Sequence, residues 1–234
     1  MQISIILPTY NEKDNIIKLV NELLKINKNR QPIIEIVIVD DNSPDKTYLI
    51  CQKRYKNFDN IKVILRNNIR GLAYSIREGL ENSKGDYLIV MDTDFTHDPK
   101  LIPKMLDQIE FHDIVSGSRY VNGGSMENRL HEKLSFYYNV FLKLLLKTNI
   151  NDNLGGFFCI KRNFLKKLSY DQIFFGYGDY FFRLLFYSKK FNAKISEIPA
   201  IYKKRTHGKS KSNFILMLFK YFFSALKLRF IQNK

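Results

Sequence analysis

The sequence is poor in cysteine and has no tryptophan. Of its 234 residues only Cys51 and Cys159 are cysteines, and they lie far apart with no Cys-x-x-Cys pair. This spacing excludes a disulfide framework and the common zinc sites, because both need several closely spaced cysteines. A chain with so few cysteines is typical of a reducing compartment.

Acidic residues are scarce beside basic ones. The chain has 38 Lys and Arg against 23 Asp and Glu, which gives a net charge of +15. After Lys203 there is no Asp or Glu at all, so the C-terminal segment is purely basic. The excess predicts an anionic partner such as a phosphate-bearing substrate, a membrane surface or a nucleic acid.

Two further signals are missing. The N-terminus has no basic segment, and Pro8 ends an apolar run that is too short for a secretory signal, which predicts a cytoplasmic chain. No Gly-x-Gly-x-x-Gly occurs, which argues against a dinucleotide-binding fold. Disorder is excluded, because 45% of the residues are hydrophobic and suffice for a core.

Short β-branched runs alternate with amphipathic stretches along the first half of the chain. This alternation predicts an α/β fold, a doubly wound and mostly parallel sheet with helices on both faces. In such a sheet ligands bind beyond the carboxyl ends of the strands. The predicted strands are 3–7, 33–39, 61–65, 87–91, 113–115, 155–160 and 193–198, and the predicted helices are 13–28, 45–56, 72–82, 99–110, 130–147 and 180–190.

Residues 214–231 predict a long helix that is mostly apolar. Lys220 and Lys227 interrupt it, and each charge at a bilayer centre costs about 3 kcal/mol on insertion scales. We therefore predict an amphipathic helix over 213–234 that lies in the plane of an anionic membrane surface. The alternative is a helix docked on the domain or on another subunit. The polar stripe of this helix is Asn213, Lys220, Ser224, Lys227 and Lys234.

Asp92 and Asp94 follow the apolar run 87–91. Side chains two positions apart on a strand point the same way, so both carboxylates can converge at the end of the strand. Two oxygen ligands at that point suit Mg²⁺ or Mn²⁺, which keeps several waters and shares substrate phosphates.

A second acidic pair, Asp40 and Asp41, follows the run 33–39. Capping the next helix needs only Ser43 or Asp45, so two further carboxylates are more than the cap requires. Carboxylates accept hydrogen bonds from hydroxyls and ring N–H groups. The pair therefore indicates a site for a nucleotide's ribose or base.

An ordered series of motifs runs along residues 2–212. It resembles that of the family 2 glycosyltransferases, and in particular the polyprenyl-phosphate enzymes that include the dolichol-phosphate mannose synthases. The motifs are Pro8-Thr-Tyr-Asn-Glu12, Val39-Asp-Asp-Asn-Ser-Pro-Asp45, Gly71-Leu72, Gly85-Asp86, Met91-Asp-Thr-Asp94, Ser116-Gly-Ser-Arg-Tyr120, Gly155-Gly156 and Arg205-Thr-His-Gly-Lys-Ser-Lys211. The resemblance implies a GT-A catalytic domain over 1–212 and metal-dependent transfer of a sugar, with inversion, to a polyprenyl phosphate. Mannose from GDP-mannose is the first expectation.

The resemblance also assigns the site residues. The residues that it assigns to binding of the donor nucleotide sugar are Pro8, Tyr10, Glu12, Val39, Asp41, Asp92, Thr93, Asp94, Arg205 and Lys211. The residues that it assigns to binding of the acceptor phosphate are Arg119, Arg129, His131 and Ser135. Asp92, Asp94 and Arg119 are the catalytic residues, and Asp94 with Thr96 would hold the metal. Thr96 stands where the family often has Gln, and His131 where mannose synthases tend to carry Arg.

The expected acceptor decides what chemistry the site needs. A lipid monophosphate with a second pKa of about 6 is mostly a dianion at neutral pH, so it needs no strong general base. The expected partners are a nucleotide sugar, a polyprenyl phosphate and an anionic membrane surface, and a separate membrane subunit is a further candidate partner. The expected location is the cytoplasm, in peripheral association with the membrane.

Two alternatives remain open. The first is a family 2 enzyme that uses another nucleotide sugar such as UDP-glucose, or a hydroxyl acceptor with Asp179 as general base. Asp179 equally suits the cap of a helix that begins near Tyr180. The second is a basic nucleic-acid-binding module. Carboxylates at one sheet edge would repel its phosphates, which argues against any nucleic-acid partner; they are Asp40, Asp41, Asp92 and Asp94.

Overall fold

The computed structural model describes residues 2–27, 33–203 and 214–231. Its strands are β1 (Gln2–Thr9), β2 (Ile33–Asp40), β3 (Ile61–Leu65), β4 (Tyr87–Val90), β5 (Ile114–Ser118), β6 (Ser125–Met126), β7 (Phe158–Lys161), β8 (Ile195–Pro199) and β9 (Ile201–Tyr202). Seven of them form the central sheet, in the order β3-β2-β1-β4-β7-β5-β8, and β6 pairs with β9. Only β7 runs antiparallel to its neighbours in the large sheet, which confirms a mostly parallel arrangement.

Helices cover the sheet. They are α1 (Ile16–Asn27), α2 (Thr47–Tyr55), α3 (Leu72–Glu81), α4 (Ile102–Ile109), α5 (Arg129–Leu146), α6 (Arg162–Leu165), α7 (Tyr170–Ile173), α8 (Tyr180–Lys190) and α9 (Phe214–Ile231). Each predicted strand and helix is present, with ends shifted by a few residues at most. The hydrophobic period therefore identified the elements correctly.

The core has two layers, one on each face of the sheet. Along β1, Ile5 and Leu7 belong to the layer beneath α1 and α4, whereas Ile6 belongs to the layer beneath α3, α5 and α8. This alternation follows from the two-residue period of a strand. Both faces of β1 are thus buried, which is why Ile5, Ile6 and Leu7 follow one another without a polar residue between them.

Helix α9 packs on the domain with one face and is open on the other. Tyr221, Ala225 and Leu228 are buried in the same core layer as α5 and α8. The predicted alternative of a docked helix is therefore correct for this face, and the domain boundary after residue 212 stays a prediction. Within the described residues, no helix is long and apolar enough to cross a membrane.

Candidate active site

A cleft of about 620 Å³ opens at the carboxyl ends of β1, β2 and β4. These strands are neighbours in the sheet, so the loops that follow them meet at one edge. Residues from the segments 8–12, 69–75, 92–94 and 175–179 line the cleft, together with one side of α9. The sheet edge predicted from the sequence is therefore the site of the cleft.

Only one member of the acidic pair after β2 faces the cleft. Asp41 lines it and accepts hydrogen bonds from Arg66 Nη1 at 2.5 Å and from the Gly71 N–H at 2.7 Å. Burial raises the pKa of Asp41, against the opposing effects of the Gly71 N–H and the Arg66 charge. Asp40 is fully buried and accepts from the hydroxyls of Ser43 and Thr9. Asp41 is thus the ligand-facing carboxylate, and Asp40 holds the loop.

Neither suggested residue occupies the N-cap position of α2, which is Lys46, but Asp45 beside it bonds the first turn of the helix. Asp45 Oδ1 accepts the Thr47 N–H at 3.0 Å, and Thr47 is the first residue of the helix. Ser43 instead donates to Asp40 and accepts the Asn11 N–H. Its role is to join the loops after β1 and β2.

A stacked pair forms one end of the cleft. Arg70 Nη1 donates to Tyr10 Oη at 2.7 Å, and the guanidinium carbon lies 4.5 Å from the centre of the Tyr10 ring. Glu12 lies nearby in the lining and accepts from Asn15 Nδ2 at 2.8 Å. A planar cation on an aromatic ring offers a flat surface on which a nucleobase can stack.

Asp92 and Asp94 reach the cleft from the end of β4. Asp94 is almost fully buried, and its Oδ1 accepts from the N–H and the hydroxyl of Thr96 at 3.1 and 2.6 Å. The Asp92 side chain is 45% exposed, and its N–H donates to His97 Nδ1 at 2.9 Å. Thr96 is absent from the cleft lining, so its hydroxyl orients Asp94 in this structure.

The donor set fits a divalent metal that binds together with substrate. Among the residues that the structure describes, no group of three or more His, Cys, Asp or Glu side chains is placed to hold a metal. Two carboxylate residues, Asp92 and Asp94, line the cleft next to each other at the end of β4. Mg²⁺ is commonly held by one or two carboxylates, with waters and substrate phosphates as its other ligands. The arrangement is therefore compatible with Mg²⁺ or Mn²⁺.

Arg119 follows β5 and is held by a buried partner. Its Nε and Nη2 donate to the two oxygens of Asp152, each at 2.7 Å, and Asp152 is fully buried. The guanidinium carbon also lies about 5 Å from the ring centres of Tyr120 and Tyr202. Burial acts to lower the pKa of Arg119, but the Asp152 carboxylate outweighs it and holds the pKa above the ordinary value. Arg119 does not line the cleft here, and its acceptor role stays a prediction.

The other predicted acceptor residues lie on the first turns of α5. Arg129 and His131 are exposed, and the Asn128 side chain caps the helix by accepting the His131 N–H at 3.3 Å. Ser135 is buried one turn later, where Asn139 Nδ2 donates to its carbonyl oxygen. None of the three lines the cleft. Tyr120 lies against the same part of α5, where its hydroxyl donates to the Glu132 carbonyl at 3.3 Å.

Asp179 lines the cleft and occupies the N-cap position of α8, as predicted, but its side chain makes no capping hydrogen bond. The carboxylate instead pairs with Arg183 one turn later, and this guanidinium is fully buried. Burial lowers the pKa of Arg183, against the opposing effect of Asp179. Asp179 is thus committed to an ion pair, which argues against its use as a general base.

The structure brings most of the predicted donor residues together. Seven line the cleft: Pro8, Tyr10, Glu12, Asp41, Asp92, Thr93 and Asp94. Val39 is buried in β2, where it lies close to Gly79 of α3, and its side chain does not reach the cleft. Arg205 and Lys211 lie outside the described residues.

Sequence reasoning missed three basic residues around the cleft. Arg66 is the first residue after β3, so its place at a strand end was a usable signal. Arg70 lies four residues further along the same loop. Lys220 lines the cleft only because α9 docks there, and no local sequence pattern predicts that contact.

Comparison with known proteins identifies the family. The model of glycosyl transferase family 2 matches residues 4–169. A dolichol-phosphate mannosyltransferase of Pyrococcus furiosus is 32% identical over 222 residues, covering 90% of this chain and 59% of that protein. An undecaprenyl-phosphate mannosyltransferase of Micrococcus luteus is 30% identical over 218 residues, covering 90% of this chain and 87% of that protein.

Solved structures share the fold. Glucosyl-3-phosphoglycerate synthase from Mycobacterium tuberculosis, in complex with Mg²⁺ and UDP, superposes with a TM-score of 0.72 at 16% identity, covering 97% of this chain and 79% of that one. The same enzyme in complex with Mn²⁺ and UDP-glucose gives a TM-score of 0.70 at 16% identity, with 97% and 78% covered. The fold is therefore the expected GT-A fold. Together with the family match, it shows that the chain belongs to glycosyl transferase family 2.

Proposed function

We propose that this protein transfers mannose from GDP-mannose to a polyprenyl monophosphate, with inversion at the anomeric carbon. The observation that carries the proposal is a cleft with a base-sized stacking pair, Tyr10 and Arg70, at one end and two carboxylates, Asp92 and Asp94, beside it. Relatives named as mannosyltransferases acting on dolichol phosphate and undecaprenyl phosphate support the acceptor and the sugar.

Different residues of the cleft bind different parts of the donor. Tyr10 and Arg70 stack on the base, and Asp41 accepts from its N–H groups or from the ribose. Asp92 and Asp94 lie along the diphosphate and would hold Mg²⁺ or Mn²⁺, the ions named with the structurally similar synthase. When bound, such a metal neutralises charge on the leaving diphosphate.

The acceptor supplies its own nucleophile. A phosphate dianion attacks the anomeric carbon as the bond to the diphosphate breaks, so no proton has to be removed. The ion pair between Asp179 and Arg183 supports a reaction without a general base, because this carboxylate is already bound to a guanidinium. The protein's task is to bring two anionic substrates together and to hold them in line.

A panel of nucleotide sugars tests the donor and the acceptor together. We expect GDP-mannose with Mn²⁺ to raise the melting temperature, because a ligand that binds only the folded state stabilises it. We also expect labelled mannose to appear in an organic-extractable, acid-labile lipid when a polyprenyl phosphate is added. UDP-glucose is the second candidate, since UDP-glucose occurs in structures of the same fold. Stabilisation and transfer with UDP-glucose alone would replace mannose in the proposal.

We further propose that the protein associates peripherally with an anionic membrane. Helices α5 and α9 pack side by side, with Phe141 stacked on Phe222 at 5.6 Å. Their outer faces form one apolar surface, which we name the α5–α9 surface. Its exposed side chains are Leu130, Leu134, Tyr137, Leu144, Phe219, Phe223 and Phe230. Exposed apolar patches of this kind mark membrane or protein interaction sites, and the net charge of +15 favours an anionic bilayer.

Replacing Phe219 and Phe223 with Ser should weaken flotation with vesicles that contain anionic lipid. Both rings are mostly exposed, so their loss removes apolar area from the α5–α9 surface without opening the core. Phe111→Ser is the matched control, because Phe111 is 72% exposed but follows α4, which covers the opposite face of the sheet. Equal flotation of the wild type, the Phe219 and Phe223 double variant and Phe111→Ser would mean that this surface does not bind lipid. It would favour a separate membrane subunit as the partner of this surface.

A further inference from the structure

The described part of the cleft lining has an unusual balance of charge for a site that must accept phosphates. Its described lining contains five carboxylates, from Glu12, Asp41, Asp92, Asp94 and Asp179. The same lining contains two cations, Arg70 and Lys220. Both substrates of the proposed reaction are anionic, so cations at the cleft are needed to bind them. Arg70 already contacts Tyr10, which leaves Lys220 as the cation to explain.

Lys220 is exposed at the rim of this cleft. Its ammonium group forms no ion pair with any residue in the ranges that the structure describes. A lysine that lines the same cleft as several carboxylates, and forms no ion pair with them, is available to bind an incoming anion. Lys227, two turns further along α9, is also exposed but does not line the cleft.

The residue next to Lys220 fixes its position. Tyr221 is buried, and its hydroxyl oxygen lies against Gly178 in the 175–179 wall of the cleft. A Cβ at Gly178 would lie 2.5 Å from that oxygen, so the close approach requires glycine. On the other side, Tyr138 Oη of α5 donates to the Leu218 carbonyl of α9 at 3.0 Å.

A buried arginine makes the second connection. Arg183 Nη1 donates to Ser224 Oγ of α9 at 3.2 Å and also pairs with Asp179. The same guanidinium donates to the carbonyls of Phe175 and, at 2.9 Å, Ile173. Since residues four apart share a helix face, Ser224 and Lys220 lie on the side of α9 that is held to the cleft wall.

We propose that Lys220 binds a substrate phosphate in the cleft, so that α9 is part of the active site as well as of the α5–α9 surface. The inference rests on the proposed function, because it takes a phosphate-bearing substrate as given. Two phosphate groups are available, the diphosphate of the donor and the monophosphate of the acceptor. The helix that faces the membrane would thereby also hold a substrate in place.

The test compares Lys220→Gln with Lys227→Gln on a short-chain isoprenoid phosphate, without vesicles. We expect Lys220→Gln to lower kcat/KM about 10- to 100-fold, the loss typical of a hydrogen bond to a charged group. Lys227→Gln should match the wild type, and Lys220→Arg should recover part of the activity because it keeps the charge. A higher KM for the nucleotide sugar identifies the donor diphosphate, and a higher KM for the isoprenoid phosphate identifies the acceptor.

Unchanged kinetics of Lys220→Gln, or equal losses in both Gln variants, would overturn the inference. Reduced vesicle flotation of Lys220→Gln with unchanged kinetics would also overturn it, because Lys220 would then act only on the membrane. Equal melting temperatures of the three variants are expected, since both lysines are exposed. The proposed function is tested separately, with the wild-type protein and the panel of nucleotide sugars. If that panel selects another sugar, the Lys220 and Lys227 variants are compared with that sugar as donor.

Discussion

Replacement of Asp94 by Asn is expected to reduce sugar transfer roughly 100- to 1,000-fold, the loss seen when one preorganised charge-stabilising group is removed. The Asp94 carboxylate lies at the cleft, and its Oδ1 accepts two hydrogen bonds from Thr96. An Asn keeps an oxygen for both bonds but loses the negative charge. The variant should therefore fold normally and lose the electrostatic contribution alone.

The matched control for this variant is Asp86→Asn. Asp86 is exposed and directly precedes β4, at the end of the strand opposite to Asp94. Its loss of charge is the same, but it lies far from the cleft along the strand, so transfer should be unchanged. The measurement is initial transfer rate at saturating Mn²⁺, alongside the melting temperature of each protein. If Asp94→Asn kept wild-type transfer, Asp94 would have no part in the reaction or in metal binding.

The fold was predictable because the signals for it are local. The short apolar run of β1 and the helical spacing of apolar residues in α1 both reflect burial, and each is legible in a short window of sequence. The direction of β7 was not predictable in this way. A strand's orientation depends on its neighbours in the sheet, here β4 and β5, and not on its own residues.

The site was predictable in part, for a related reason. Strand ends were enough to locate Asp41, Asp92 and Asp94, because parallel strands bring their carboxyl ends to one edge. The different roles of Asp40 and Asp41 depend on which way each side chain turns where β2 ends. Asp40 turns inward to Ser43 and Thr9, a contact between loops that no single segment encodes.

Helix α9 shows the limit of amphipathicity as evidence. An apolar face fits a lipid surface and a protein core equally well, so its pattern cannot decide between them. The helix does pack on the core, through Tyr221 and Ala225, while Phe219 and Phe223 remain exposed. The hypothesis of a docked helix therefore holds for one face of α9, membrane binding stays a prediction for the opposite face, and the proposal for Lys220 rests on the docked face alone.

The ion pair between Arg119 and Asp152 gives the largest expected effect on stability. Asp152 is fully buried, and its oxygens accept from Arg119 Nε, Nη2 and backbone N–H. Asp152→Asn removes the charge that compensates a buried guanidinium. Breaking a buried pair in this way costs about 3–5 kcal/mol in the free energy of unfolding. For a chain of this size we expect the melting temperature to fall by roughly 6–20 °C.

Asp98→Asn is the control, because Asp98 pairs with Lys203 at 2.8 Å on the surface, where such pairs contribute about 0–1 kcal/mol.

A double variant separates structure from function at Arg119. Arg119→Met with Asp152→Asn removes both charges, while the Asn oxygen still accepts the backbone N–H of Arg119, so no buried charge is left without a partner. If Arg119 also binds the acceptor phosphate, the double variant should regain stability relative to Asp152→Asn while transfer stays low. Recovery of both would mean that Arg119 serves the fold alone, and a loss from Asp152→Asn no larger than that from Asp98→Asn would contradict the stabilising role of the pair.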